Sequence, residues 1–235
     1  MTQRRETPPA IAMVLAAGFG RRMRPLTDQI PKPLLSVAGK PLIEHALERL
    51  RGIGVRRVVI NLGYLGQKIR DYLGGGERWG LDICYSVEHE EQPLGTAGGI
   101  LKAMPLLGDA PFLVVNGDVW CDFDLSQWVA RPLPKHCPGR LLMVPNPPHN
   151  PEGDFGIERG LLSGGSRPRY TFAGISWLRP EMLTGYAKLR DCFGLGEVFT
   201  LNEDRLQAEL YTGDWCDVGT PERLEQLHRR LAAEY

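Results

Sequence analysis

The chain has 235 residues, and its 28 lysines and arginines balance 28 aspartates and glutamates, so the formal net charge at neutral pH is zero. That length supports one sizeable core with at most a small lobe attached. The missing basic excess argues against a nucleic-acid or membrane-surface binder. The five cysteines (Cys84, Cys121, Cys137, Cys192 and Cys216) are odd in number and contain no C-x-x-C pair. They fit neither a disulfide framework nor a zinc site, and they suit a reducing cytoplasm.

Residues 1–10 read as a flexible N-terminal extension. The apolar run that follows is too short for a signal peptide, and no later run approaches a membrane span. The first strand, Ile11 to Leu15, breaks abruptly into Ala16, Ala17, Gly18 and Gly20. Small residues let backbone N–H groups approach a ligand closely and aim their dipoles at an anion. Arg21 and Arg22 follow, and then Lys32, held between Pro31 and Pro33. A glycine turn with fixed cations suits a polyphosphate: Arg22 offers a bidentate fork and Lys32 a point charge. A strand, a turn and a proline-rich linker with incidental basic residues would be the plain alternative. Proline on both sides of a lysine favours a lysine that must be aimed. The run has no G-x-x-x-x-G-K-[ST], and Met23 stands where G-x-G-x-x-G needs its third glycine, so both familiar phosphate fingerprints are excluded.

Further along, residues 41–50 predict a helix with Pro41 at its first position, stopped by Gly52 and Gly54. A β-branched strand from Val55 to Ile60 follows, then a helix from Tyr64 to Leu73, closed by three glycines, and a strand from Leu81 to Val87. A small-residue helix runs from Thr96 to Leu106, and a strand from Pro111 to Val115 ends in Asn116-Gly117-Asp118. This alternation predicts an α/β fold: a Rossmann-like, mostly parallel sheet with helices on both faces. Ligands on such sheets lie beyond the carboxyl ends of the strands, where the glycine loop and Asp118 both fall. After Asp118 the pattern changes to a proline-rich stretch, a hairpin near Gly153 to Gly165, a strand from Tyr170 to Leu178 and a short helix after Pro180. W-C-D-V-G-T and an amphipathic helix bearing Leu224, Leu227 and Leu231 close the chain. The organisation expected is a single domain over 11–235: a first half over about 11–129, a small mixed lobe over about 130–200, and a C-terminal motif and helix over about 201–235.

Asp118 and Asp217 are the candidate metal ligands, because magnesium prefers one or two carboxylates completed by phosphate oxygens and water. Each aspartate alone would serve equally well as a turn former.

The run from Leu15 to Pro33 resembles the signature of the sugar-1-phosphate nucleotidyltransferases, L-A-A-G-x-G-x-R-[LM]-x-P-L-T-x-x-x-P-K-P. V-x-N-G-D around Asp118 and W-x-D-V-G-T around Asp217 resemble that family's metal-binding segments, and they occur in the right order. The resemblance implies the nucleotide-diphospho-sugar transferase fold, with Leu15, Ala16, Ala17, Gly18, Gly20, Arg21, Arg22, Lys32 and Asn116 at the nucleotide and Mg2+ on Asp118 and Asp217. P-L-G-T-A-G resembles the base-holding loop, which implies roles for Gly95 and Gly98 and for an upstream side chain: Glu90, Glu91 or Gln92. Asp154, Gly174 and Glu197 lie where the sugar pocket is expected. Since a sugar 1-phosphate is already mostly dianionic at neutral pH, with a second pKa of about 6, no general base is needed. Catalysis then rests on charge neutralisation and in-line positioning by Arg22, Lys32 and Asp118.

Within the family, compact length and strings such as P-L-I-E-H, T-F-A-G-I-S and W-C-D-V-G-T-P-E-R-L are similar to the bacterial N-acetylmuramate α-1-phosphate uridylyltransferases of peptidoglycan recycling. That implies UTP and N-acetylmuramate α-1-phosphate as substrates, with no nucleic-acid or membrane partner, in a monomer or small homo-oligomer. P-L-G-T-A-G-G-I departs from the expected P-L-E-T-G-G-G-I and leaves guanylyl transfer to mannose or a heptose as the alternative. A catalytically silent regulatory paralogue is a third reading, disfavoured by the presence of Arg22, Lys32, Asp118 and Asp217.

Overall fold

The computed structural model describes residues 10–186 and 192–233, so the expected extension over 1–10 lies almost wholly outside the described residues. Strand β1 (Ile11–Leu15) leads through three 3-10 turns to a small hairpin, β2 (Ser36–Val37) and β3 (Lys40–Pro41). Then come α1 (Leu42–Gly52), β4 (Arg57–Leu62), α2 (Gly66–Leu73), β5 (Asp82–Val87), α3 (Gly95–Leu107) and β6 (Phe112–Asn116). The second part contributes β7 (Val119–Cys121), α4 (Leu125–Ala130), β8 (Gly139–Val144), the hairpin β9 (Phe155–Glu158) and β10 (Leu161–Ser163), and the long β11 (Arg169–Leu178). Helices α5 (Glu181–Thr184) and α6 (Leu195–Thr200), strands β12 (Gln207–Leu210) and β13 (Trp215–Asp217) and helix α7 (Pro221–Ala232) complete it.

Among the described residues nine strands form one sheet in the order β5-β4-β1-β6-β11-β8-β12-β10-β9. The first four pair in parallel, β11 is antiparallel to both β6 and β8, and β12 is parallel to β8. Only β10 and β11 run against the rest, so the sheet is mostly unidirectional and the proline-rich second part continues the sheet of the first.

Strand period 2 divides the core. Ala12, Val14, Val58, Ile60, Leu113 and Val115 point to the face covered by Ile43 and Leu47 of α1 and Ile69 and Leu73 of α2. Met13, Val59, Phe112 and Val114 point to the other face, under Ala97 and Ile100 of α3 and Val198 and Phe199 of α6. Both faces are therefore covered, as runs of valine and isoleucine without polar alternation demand.

A third, separate cluster matters more for the site. Met23, Leu35 and Val37, from the turns after β1, pack with Leu42, with Val218 and with Leu227 and Leu231 of α7. The amphipathic stripe of α7 thus clamps the segment that carries Arg22 and Lys32. Leu227 is fully buried, so Leu227→Ala is expected to cost about 2–5 kcal/mol. Urea unfolding reads that loss, and pyrophosphate release should fall with it as the clamped segment loosens.

Several element boundaries differ from expectation, among them β4, which spans Arg57–Leu62 where Val55 to Ile60 was expected. Pro41 ends β3 in extended geometry and stands before α1, which begins at Leu42. Helix α2 begins at Gly66 instead of Tyr64, because Leu65 is held at φ 52 and cannot enter a right-handed helix.

Candidate active site

The order β5-β4-β1-β6 reverses direction of growth between β1 and β6, which opens a crevice beyond their carboxyl ends. Residues 16–20 leave β1 there, and Asn116-Gly117-Asp118 leaves β6 beside them. The Gly117 N–H donates to the Leu15 carbonyl at 2.9 Å. A Cβ on Gly117 would lie 2.8 Å from that oxygen, so glycine is required for the two loops to approach. Gly20 adopts φ 62, and its carbonyl accepts from the fully buried Thr27 hydroxyl at 2.9 Å, which fixes the turn. The cleft these loops enclose is about 280 Å³, and its lining includes Ala16, Gly18, Lys32, Asn116 and Asp118.

Pro31 and Pro33 are buried, and the Lys32 side chain, 12 % exposed, points inward to an ion pair with Asp118. The Asp118 side chain keeps 33 % of its surface open to the cleft. Asp217 arrives by a second route. β13 pairs antiparallel with β7, which sets Asp217 opposite Val119, and the Val218 N–H donates to the Asp118 carbonyl at 2.8 Å. The two aspartates, almost a hundred residues apart in sequence, are thereby neighbours. Burial pushes the Asp217 carboxyl up, Arg223 and His149 oppose that shift, and the Asp118 charge adds to it. His149 Nε2 lies 3.0 Å from one Asp217 oxygen and Arg223 Nη2 lies 3.4 Å from the other. Asp118 is thus paired with Lys32, and Asp217 lies between His149 and Arg223. Among the described residues no group of three or more His, Cys, Asp or Glu side chains is placed to hold a metal. A divalent ion here would need phosphate oxygens or water to complete its shell.

The other sequence-predicted residues divide. Leu15, Ala16, Ala17, Gly18, Gly20, Lys32, Gly95, Asn116 and Asp118 line the cleft. Arg21 and Arg22 stand exposed outside its lining, Arg21 stacked 4.9 Å from the Phe19 ring and Arg22 reaching toward Gly219. Gly98 is buried within α3 and does not line the cleft. Glu90 accepts from the Leu65 N–H at 3.3 Å, which ties it to the start of α2 and away from the cleft lining. Gly174 (φ 75) sits in the β11 irregularity, where a Cβ would meet the Asn116 amide nitrogen at 2.8 Å. Asp154 lines a different cavity with Arg169 and Glu203, and its oxygens accept from the Phe172 N–H at 2.7 Å and the Asn150 amide at 3.0 Å. Glu197 accepts from the Gly194 N–H at the start of α6. Asp154, Gly174 and Glu197 are therefore not gathered around one pocket.

Four residues were missed. Asn61 at the end of β4 accepts from the Ala16 N–H at 2.7 Å and donates to Glu88 at 2.6 Å, and a Cβ on Gly99 would collide with that pair. Asn61 and Glu88 are buried and both line the cleft. The signal available was position: each is a polar residue closing an apolar strand on the carboxyl side. His149 lies in no motif, and Arg223, although it falls within W-C-D-V-G-T-P-E-R-L, becomes visible as a partner of Asp217 only once the chain is folded.

A family model for nucleotidyl transferases matches residues 11–159. An N-acetylmuramate α-1-phosphate uridylyltransferase from Neisseria meningitidis serogroup B is 48 % identical over 234 residues, covering 94 % of this chain and 98 % of that protein. The catalytic subunit beta of a Danio rerio mannose-1-phosphate guanylyltransferase is 33 % identical over 89 % of this chain, which spans only 61 % of that longer protein. In three dimensions, a UDP-glucose pyrophosphorylase solved with UDP-glucose superposes with a TM-score of 0.79 at 19 % identity, covering 96 % of this chain and 99 % of that one.

Proposed function

The chain belongs to the nucleotidyl transferase family, as a sugar-1-phosphate nucleotidyltransferase, and from that premise we propose that it joins UTP to N-acetylmuramate α-1-phosphate. The products are the UDP-sugar and pyrophosphate, the setting is cytoplasmic peptidoglycan recycling, and magnesium is required. The observation that carries the uridylyl reading is the 48 % identity to the Neisseria meningitidis enzyme, maintained over almost the full length of both chains. No helix among the described residues is long and apolar enough to cross a membrane.

The chemistry follows from the cleft. A phosphate oxygen of the sugar 1-phosphate attacks the α-phosphorus of the triphosphate. The new P–O bond forms as the bond to the bridging oxygen breaks, and pyrophosphate departs with that electron pair. The nucleophile is already a dianion, so no proton is removed, and the barrier is repulsion between anions. Backbone N–H groups from Ala17 to Gly20 hold the triphosphate, with Arg22 on its outer phosphates. Lys32, aimed from the cleft floor, meets the α-phosphate and the incoming sugar phosphate. Asn61 and Glu88 brace the start of the glycine loop through the Ala16 N–H and border the space left for the base. Asp118 and Asp217 are the residues that would hold Mg2+, whose charge would offset that of the phosphates.

Pyrophosphate release from purified protein, with each of four nucleoside triphosphates and a panel of sugar 1-phosphates, tests this reading. Turnover should be highest with UTP and N-acetylmuramate α-1-phosphate and should stop with a chelator. Turnover with GTP and mannose 1-phosphate but not UTP would move the chain to the guanylyl side, where the Danio rerio relative stands. Absence of turnover with every pair would leave the silent paralogue.

A further inference from the structure

Arg223, on the first turn of α7, falls within the string W-C-D-V-G-T-P-E-R-L but has been given no role in the reaction so far. Its Nε and Nη2 atoms are buried and make no hydrogen bond. Nη2 stands 3.4 Å from Asp217 Oδ2, an ion-pair distance without hydrogen-bond geometry. A buried guanidinium with unused donors is an expensive arrangement to keep. The backbone is shaped to permit it. Gly219 is buried, and a Cβ there would fall 1.8 Å from Arg223 Nη2 and 3.4 Å from Arg22 Nη2. Two guanidiniums thus converge over one glycine, although like charges repel. Arg22 makes no hydrogen bond or ion pair with any described residue. Around this point Arg22, Lys32 and Arg223 supply three positive charges against the two carboxylates of Asp118 and Asp217. The imbalance calls for an anion with several oxygens spread over the span between the glycine loop and α7.

We propose that Arg223 is a further substrate-contacting residue, which joins Arg22 on the outer phosphates of the nucleoside triphosphate and on the departing pyrophosphate. Asp217 holds it until the polyphosphate arrives. When the polyphosphate enters, Arg223 exchanges a poorly directed ion pair for charge-assisted hydrogen bonds to phosphate oxygens, and Asp217 is left open toward the cleft. α7 thereby contributes directly to the reaction, beyond clamping the phosphate segment through Leu227 and Leu231. The inference rests on the nucleotidyl-transfer reading.

The test compares Arg223→Met and Arg223→Lys with the unaltered full chain, using inorganic pyrophosphate as the probe. Calorimetric titration of pyrophosphate is run with and without magnesium, alongside KM for the triphosphate, kcat, the magnesium half-saturation and the melting temperature. Loss of the guanidinium should weaken pyrophosphate binding and raise KM for the triphosphate by about 10-fold to 100-fold in Arg223→Met. Lysine should recover part of it, and the melting temperature should hold or rise. Unchanged pyrophosphate affinity in Arg223→Met overturns the proposal. So does a change confined to magnesium half-saturation, since that would make Arg223 only a prop for Asp217. Failure of the unaltered chain to make any nucleotide sugar would sink the nucleotidyl-transfer reading instead, and the pyrophosphate titration would still decide Arg223.

Discussion

Replacing Lys32 with alanine will lower kcat by about 10²-fold to 10³-fold, the loss expected when a fixed charge aimed at the developing transition state is removed from a sheltered site. Lys32 is suited to that role by confinement. Two buried prolines fix the backbone on either side, and only 12 % of the side chain is exposed. The fold should survive the change. Its partner Asp118 keeps 33 % of its side chain exposed, so water can solvate the carboxylate once the ammonium is gone, and stability should move by no more than about 1 kcal/mol. Stopped-time pyrophosphate assays beside a urea titration separate the two effects. An alanine variant that turns over at the original rate would remove Lys32 from the chemistry. One that unfolds would make it a structural ion-pair partner.

Asp217→Asn is the second large effect. The amide is nearly the same shape but carries no charge, so it should leave the β7–β13 pairing intact. Turnover at saturating magnesium should drop by about 10²-fold, and the magnesium concentration for half-maximal rate should rise at least about tenfold. The second shift is diagnostic. A lost carboxylate ligand can be offset in part by more metal, whereas a general packing defect cannot. A drop in turnover with unchanged magnesium half-saturation would assign Asp217 to holding His149 and Arg223 in place and would leave Asp118 as the metal residue.

Much of the first half could be read from the chain because its physics is local. β1, β4 and β6 are short β-branched or apolar runs bounded by turn formers, and a parallel strand buried on both faces needs little else. The glycine loop, Lys32 between prolines and Asp118 at a strand end were legible for the same reason. What escaped depends on contacts across long separations. β12 is four residues, Q-A-E-L, with only Ala208 buried, and its place between β8 and β10 comes from neighbours with no trace in its own pattern. α6 begins L-G-E-V-F-T, where a glycine and a β-branched residue weaken the helical signal that its Gly194–Glu197 cap and its packing on α3 supply. Glu90 was a reasonable base-reading candidate by position. Its capture by the Leu65 N–H follows from the left-handed turn that opens α2, which the sequence hides behind an ordinary leucine. Arg223 looked like one more charge on an amphipathic helix.

The order in which the parts of the site are synthesised also matters, because the cluster joining Met23, Leu35 and Val37 to Leu227 and Leu231 draws on both ends of the chain. A ribosome-bound chain that has not yet released β13 and α7 holds the glycine loop and Lys32 but lacks their clamp, Asp217 and Arg223. Activity should therefore switch on only once β13 and α7 have left the exit tunnel.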